Sequence, residues 1–361
     1  MEKKIVDGGA AISRRAFLAG AGLGLIGFAG ALAGCGKTSG AGAGSASSGS
    51  SSSATQPKEE PATVRVASLK GPTSIGLVSF MDKAKSDAKA YGNTYEFTIS
   101  STPDEILPQV IKGGVDIALV PANAAAVLYA KTSGAVTCLD INTLGVLSVV
   151  TGDASVKEFK DLAGHTVYLT GKGATPEYSM DYLLEQAGIK DQVTLEFKSE
   201  ATEVVSVLAS DAAAVGVLPQ PFVTAATVKN PALKAVIDLT DVWGGLADKG
   251  SQLVTGVTIV RDEFLKAHPL AVREFLDAQK ASVKAVNGDP AAAAPLVVSA
   301  GIIDAEPVAE KAIPACHLVC ITDSEMKDAL SGYLDVLAKA DASSVGGKVP
   351  GDDFYYEVKG A

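Results

Sequence analysis

A two-lobed α/β protein, each lobe a mostly parallel sheet flanked by helices, is what the 361-residue sequence predicts. Three observations carry that expectation. Short β-branched runs alternate with helical stripes across Gly- or Pro-bearing turns, the pattern of parallel strands covered on both faces. The alternation starts again after Thr151, which builds two units rather than one long sheet. The globular part, about 300 residues from Ala62 onward, also exceeds what one hydrophobic core organises.

Composition narrows the classes further. A hydrophobic share of 47% is enough for two cores. The formal net charge is −10. With no long basic run, that charge argues against nucleic acid as a partner, because neutralising phosphates needs clustered Lys and Arg. Four cysteines, Cys35, Cys138, Cys316 and Cys320, are too few for a disulfide scaffold. Whether the last three include one bridge is open from sequence.

Residues 1–34 have the organisation of a twin-arginine lipoprotein signal peptide. Ser13-Arg14-Arg15-Ala16-Phe17-Leu18 precedes an uncharged apolar run from Leu18 to Leu32. That run is short and glycine-rich for a permanent span of a ~30 Å hydrocarbon core. It ends at Leu32-Ala33-Gly34-Cys35, where lipidation of the Cys35 thiol and cleavage would leave a membrane anchor. The Ser/Gly/Ala tract that follows makes residues 35–61 a lipid-anchored flexible linker, since it cannot bury enough apolar surface to offset its ordering entropy. Gly36-Lys37-Thr38 imitates the end of a phosphate loop, but position 31 is Ala where that loop needs Gly.

Val64–Leu69 reads as the first strand, and Lys70-Gly71-Pro72-Thr73-Ser74 turns the chain into a helix through about Lys89. A second strand follows at Tyr95–Ile99. Thr102-Pro103-Asp104-Glu105 starts a helix with a Thr cap, Pro in the first turn and Glu three residues after the cap. Gly113-Gly114 stops it, Val115–Val120 is a buried strand, and Pro121-Ala122-Asn123-Ala124 opens the next helix. In the second unit Ser155–Glu158 caps a short helix and Thr166–Thr170 is a strand. Gly171–Pro176 leads into a helix that Gly188 ends. A strand at Val193–Phe197, a helix around Val204–Leu208 and a strand near Val215–Leu218 complete the unit. A strand at Val254–Val260 then precedes helices over about 272–286 and 325–339, the second opening on the box Thr322-x-x-Glu325. Their apolar stripes read as core.

Several stretches resemble the solute-binding proteins of the nitrate, sulfonate, taurine and thiamine-pyrimidine group of ABC importers. They are Gly114–Asn123, Asp161–Val167, Gly173–Tyr178, Leu218–Phe222 and Val260–Leu265 with His268-Pro269 beyond. The resemblance implies a periplasmic-binding-protein type II fold with the ligand in the interlobe cleft. By that pattern lobe one is 62–150 plus 254–361 and lobe two is 151–253. It also implies an extracytoplasmic lipoprotein that captures a small solute and delivers it to ABC permease and ATPase subunits, as a monomer held to the cell membrane by its lipid. A lipid-anchored sensor for a membrane receptor, or an enzyme on the same fold, are the alternatives. Relatives commonly carry Glu where this chain has Gln220, so a contact that needs carboxylate charge there would be lost.

Independently of that resemblance, ligands of open α/β sheets sit beyond the carboxyl ends of strands, at helix N-termini. The turns at 71–74, 121–124 and 171–175 fit, each with small residues that let a ligand approach backbone. The candidate ligand contacts are Lys70, Thr73, Ser74, Asn123, Gly173, Ala174, Thr175, Gln220 and Trp243, with Lys70 and Lys172 placed to meet an anion. Tyr178, Phe222 and Trp243 could flank a planar ring, although a lone Trp is more often packing. Thr175 is expected to cap the helix that begins at Pro176. No Gly-x-Ser-x-Gly elbow appears, and Pro176 stands where a dinucleotide fingerprint needs its third glycine. Cys316-His317-x-x-Cys320 lacks a fourth ligand for zinc and reads as a buried strand. No catalysis, cofactor or metal is therefore expected.

Overall fold

The computed structural model describes residues 60–247 and 251–357. The expected signal peptide, the expected lipidation site at Cys35 and nearly all of the expected linker lie outside the described residues. Strands β1 (Thr63–Leu69), β2 (Thr94–Ser100) and β3 (Ile117–Pro121) start the first sheet, and β4 (Val136–Leu144), β10 (Val254–Arg261) and β11 (Leu318–Ile321) complete it in the order β11-β4-β10-β3-β1-β2. The second sheet holds β5 (Leu147–Thr151), β6 (Thr166–Leu169), β7 (Thr194–Phe197), β8 (Val215–Pro219) and β9 (Lys234–Asp238), ordered β7-β6-β8-β5-β9.

Both sheets are mixed, which corrects the expectation of mostly parallel ones. β1 pairs with β2 and β3 in parallel, and β6 pairs with β7 and β8 in parallel. β10, however, lies antiparallel between β3 and β4, and β5 lies antiparallel between β8 and β9. The reason is the crossing: β5 enters the second sheet directly from the first, and β10 returns the same way. Each arrives from the opposite lobe and so runs against its host strands. The crossing therefore falls at Gly145-Val146, and the boundary read after residue 150 is corrected, because Leu147–Val150 pair with Pro219–Gly216 of the second sheet.

Helices α1 (Pro72–Ile75) and α2 (Val78–Ser86) replace the single helix expected there. Gly76 separates them where a Cβ would come within 3.2 Å of Val283. Then follow α3 (Pro103–Ile111), α4 (Ala122–Lys131), α5 (Thr175–Gln186), α6 (Ala201–Ser210), α7 (Phe222–Lys229) and α8 (Leu239–Leu246). Lobe one is completed by α9 (Asp262–Ala267), α10 (Pro269–Gly288), α11 (Pro290–Ser299), α12 (Glu306–Ala312) and α13 (Asp323–Ala340). The stripes Val272, Phe275, Leu276, Val283, Val286 and Met326, Leu330, Tyr333, Leu334, Leu337 are all buried. The box at Thr322 does not form. Its hydroxyl donates to the Asp323 carboxylate at 2.7 Å, and no side chain caps α13.

One apolar cluster runs continuously between the lobes. It joins Met180, Tyr182 and Leu183 of α5 to Trp243 of α8 and to Tyr333, Leu334 and Leu337 of α13. Trp243 sits between Tyr182 and Tyr333 with ring centroids 5.0 and 5.3 Å away. Side chains of this size dominate the burial energy at such a seam.

Candidate functional site

Every parallel strand ends in a turn that starts a helix, and six of these turns meet in one cleft of about 590 Å³ between the lobes. From lobe one come Lys70–Thr73 before and within α1, Ser101–Asp104 at the start of α3, and Pro121–Ala124 at the start of α4. From lobe two come Thr170–Pro176 at α5, Lys198–Thr202 at α6, and Pro219 with Phe222 at α7. Helix starts carry unpaired N–H groups and the positive end of the helix dipole. None of these six helices has its N-cap side chain bonded to the first turn.

Three of the turns share one device instead. Glu105 accepts from the Ser101 N–H at 3.2 Å, Glu203 accepts from the Ser199 N–H at 2.9 Å, and Glu177 accepts from the Gly173 N–H. In each case the Glu reaches back four residues and pins the turn against its own helix. Gly171, at φ 80°, makes the sharpest bend, where a Cβ would run into the Pro176 ring.

The charged residues lining the cleft are Lys70, Lys131, Lys172 and Lys198 against Asp104 and Glu200. Lys70 and Lys172 are exposed. Lys198 is engaged, with its ammonium 2.6 Å from Glu196 and 5.2 Å from the centre of the Tyr168 ring. The hydrogen bond to Glu196 is the main cause holding its pKa above the ordinary value. Phe222 is the aromatic residue of the lining.

The candidates named from sequence divide into two groups. Lys70, Thr73, Asn123, Gly173, Ala174 and Thr175 all line the cleft. Of these, Thr73 has its hydroxyl committed to the Leu69 carbonyl at 2.8 Å. Asn123 and Thr175 are bonded to each other, Thr175 Oγ1 donating to Asn123 Oδ1 at 3.1 Å. Thr175 does not cap α5 as expected. The helix starts at Thr175 itself, Ala174 takes the cap position, and the hydroxyl points across to lobe one.

Ser74, Gln220 and Trp243 lie outside the lining. Ser74 is fully buried beneath the turn, its hydroxyl 2.6 Å from Ser68 Oγ and donating to the Leu69 carbonyl. Gln220 faces its own helix, Oε1 accepting from Thr224 Oγ1 at 2.9 Å and from the Thr224 N–H at 3.3 Å. An amide serves that role as well as a carboxylate. Trp243 is 1% exposed in the seam and donates to Ser251 at 3.1 Å. Tyr178, the remaining aromatic weighed for a planar ring, packs against the core cluster instead.

Sequence reasoning missed the turns at 101–104 and 198–202, and with them Lys198, Glu200 and Thr202. The signal was present, since both follow a strand and precede a helix like the turns that were named. Applying the strand-end rule to every such turn would have found them. Among the described residues no group of three or more His, Cys, Asp or Glu side chains is placed to hold a metal. Cys138, Cys316 and Cys320 are free thiols, and burial pushes all three above the ordinary thiol range.

Two α/β lobes crossed by two strands, with strand ends and helix starts facing a shared cleft, define the periplasmic-binding-protein type II fold. Solved structures similar in fold include an ABC transporter protein from Parabacteroides distasonis, with TM-score 0.68 and 23% identity over 82% of this chain and 99% of that one. The periplasmic aliphatic sulphonate binding protein SsuA of Escherichia coli gives TM-score 0.65 and 12% identity over 83% and 95%. A zinc-bound ligand-binding component of an ABC-type import system from Staphylococcus aureus gives 0.63 and 14% over 82% and 96%. No curated protein matches the sequence. The family described as NMT1/THI5 like matches residues 96–293, more than half of the chain, and the chain belongs to that family.

Proposed function

We propose that this protein is the extracytoplasmic solute-binding component of an ABC importer, held to the membrane through lipid on Cys35, and that its solute is a small anion of the sulfonate or nitrate kind. One observation carries the reading. Six helix starts, three from each lobe, surround one cleft to which each lobe adds two lysines. Convergent N–H groups and cations favour an anion, and a cleft with low-dielectric walls strengthens both. The cleft volume falls within the range of small-molecule sites. The structural neighbours described as ABC transport and sulphonate-binding proteins support the same reading.

A planar pyrimidine, the other solute class implied by the resemblance, finds less support. Ring recognition calls for stacked aromatic faces, and of Tyr178, Phe222 and Trp243 only Phe222 lines the cleft. The reading is of a binder rather than an enzyme, in line with structural neighbours described as ABC transport and sulphonate-binding proteins. From the cleft the solute would pass to permease and ATPase subunits.

A thermal-shift titration tests this with methanesulfonate, taurine, nitrate and an aminopyrimidine as probes. A ligand at a hundred times its Kd stabilises the native state by about 2.7 kcal/mol. Methanesulfonate or nitrate should raise Tm, less so at high ionic strength, and Lys70→Gln or Lys172→Gln should weaken the effect. A rise with the aminopyrimidine and none with the anions would overturn the solute class.

A further inference from the structure

Asn123 on α4 of lobe one and Thr175 on α5 of lobe two are each 1% exposed. Thr175 Oγ1 donates to Asn123 Oδ1 at 3.1 Å. The Asn123 amide nitrogen donates to the Ser344 carbonyl of lobe one at 3.3 Å and reaches the Gly173 carbonyl of lobe two at 3.4 Å. Both of its nitrogen partners are carbonyls, which only accept, so the orientation of the amide is chemically determined. An amide carries two N–H donors, and both are directed at protein atoms. Little of this side chain is left over for a solute.

From this geometry we infer that Asn123 and Thr175 form an interlobe latch, a polar tie that sets the balance between open and closed cleft. Ser344 holds the amide in place from lobe one, while Thr175 and Gly173 engage it from lobe two. The latch adjoins the apolar seam, where Ser179 of α5 meets the buried Tyr333 hydroxyl of α13 at 3.3 Å. The packed Tyr182, Trp243 and Tyr333 rings supply a pivot, and separation of the lobes about it breaks the Asn123 contacts. In the closed form a missing partner leaves a buried polar atom unpaired, whereas water satisfies that atom once the cleft opens. Removing either half therefore favours opening, and the closed-to-open ratio should fall about three- to tenfold.

The consequence for affinity rests on the solute-binding reading, because affinity is scaled by the fraction of molecules in the competent form. The test does not rest on it. Amide hydrogen exchange of the full chain, without solute, reads opening directly at the starts of α4 and α5. Thr175→Val should lower protection about three- to tenfold at Ala126 and Val127, the first hydrogen-bonded amides of α4 in the opposite lobe, and Thr175→Ser should behave as wild type. Asn123→Ala should do the same to the hydrogen-bonded amides of Ala174 and Tyr178, and the double variant should fall short of the sum of the two, as expected where they share an interaction. Should Asn123→Ala fail to fold, the Val and Ser variants at 175 decide the matter. Loss of protection confined to the helix that bears the substitution, or none at all, would overturn the latch and leave only local packing. A solute titration in which no probe binds would count against the proposed function and leave this measurement unaffected.

Discussion

Asp140 is fully buried on β4, with Oδ1 accepting from Thr258 Oγ1 at 3.1 Å and from Gln279 Nε2 at 3.2 Å. Its Oδ2 and Gln279 Oε1 both lack hydrogen-bond partners. Burial pushes the carboxyl up to about 8 against an ordinary 3.8, and the two donors offset that only in part. Protonated, Oδ2 no longer carries an unpaired negative charge in an apolar site. The sign of the pH dependence follows. Between about 4 and 8 the folded state holds a proton that the unfolded state has lost, so stability is greatest below that window. It falls through it, at up to ~1.4 kcal/mol per pH unit. Asp140→Asn supplies a permanent donor and should flatten the profile, so melting temperatures from pH 5 to 8 should decline for wild type and stay nearly level for the variant. Parallel declines would show that Asp140 does not hold the proton. None of this was legible in sequence, where Asp140 is one acidic residue among many. Ser74 and Gln220 were misread at the same scale: their residue types suit a ligand, but rotamer and local partners turned them toward backbone and helix.

At the scale of elements, the strand-turn-helix units were legible because parallel strands leave short runs between Gly- and Pro-bearing turns. β4 was not, since its residues Val136–Thr143 are all buried and include Thr137, Asp140, Asn142 and Thr143. A strand covered on both faces shows no alternation, and buried polar residues erase the apolar run that replaces it. That strand leads into the crossing at Gly145, whose carbonyl is hydrogen-bonded to the His317 ring. A Cβ on Gly145 would run into Thr240 Oγ1 and lie 3.1 Å from Leu253 Cδ2. Gly145→Ala should therefore cost about 1–3 kcal/mol through overpacking where the two crossing segments meet. Gly244, inside α8 with open space about its Cα, is the contrast. Gly244→Ala should be neutral or stabilising by up to about 1 kcal/mol. Denaturant melts of the two variants check the pair, and equal midpoints would remove the packing argument.

For the whole molecule, the two-lobed architecture and the proposed lipid anchor divide the work between capture and location. With the anchor in place, a tether over residues 35–61 would leave the cleft in solution while confining the lobes to the membrane surface. Cys35→Ala should release the protein from membranes or leave it unprocessed, as read by fractionation and intact mass. Normal processing with unchanged membrane association would remove the lipid from the account. Acidity fits this arrangement in one further respect. Four lysines against two carboxylates line the cleft of a chain whose formal net charge is −10, so the local balance of charge there is opposite in sign to that of the whole.

The sequence alone determined what depends on neighbours along the chain: the strand-turn-helix units, their order, the presence of two units and three of the turns that line the cleft. Period and turn chemistry are local, so they can be read residue by residue. Only the tertiary structure decided which strands reverse direction at the crossing and which polar side chains face the cleft. It also decided that Trp243 packs in the seam and that Asn123 and Thr175 meet each other. Apart from Ser74 and Gln220, which partners four to six residues away turn from the cleft, those outcomes depend on pairing between segments 50 or more residues apart, such as Asn123 with Thr175. No window of sequence holds both partners of such a contact.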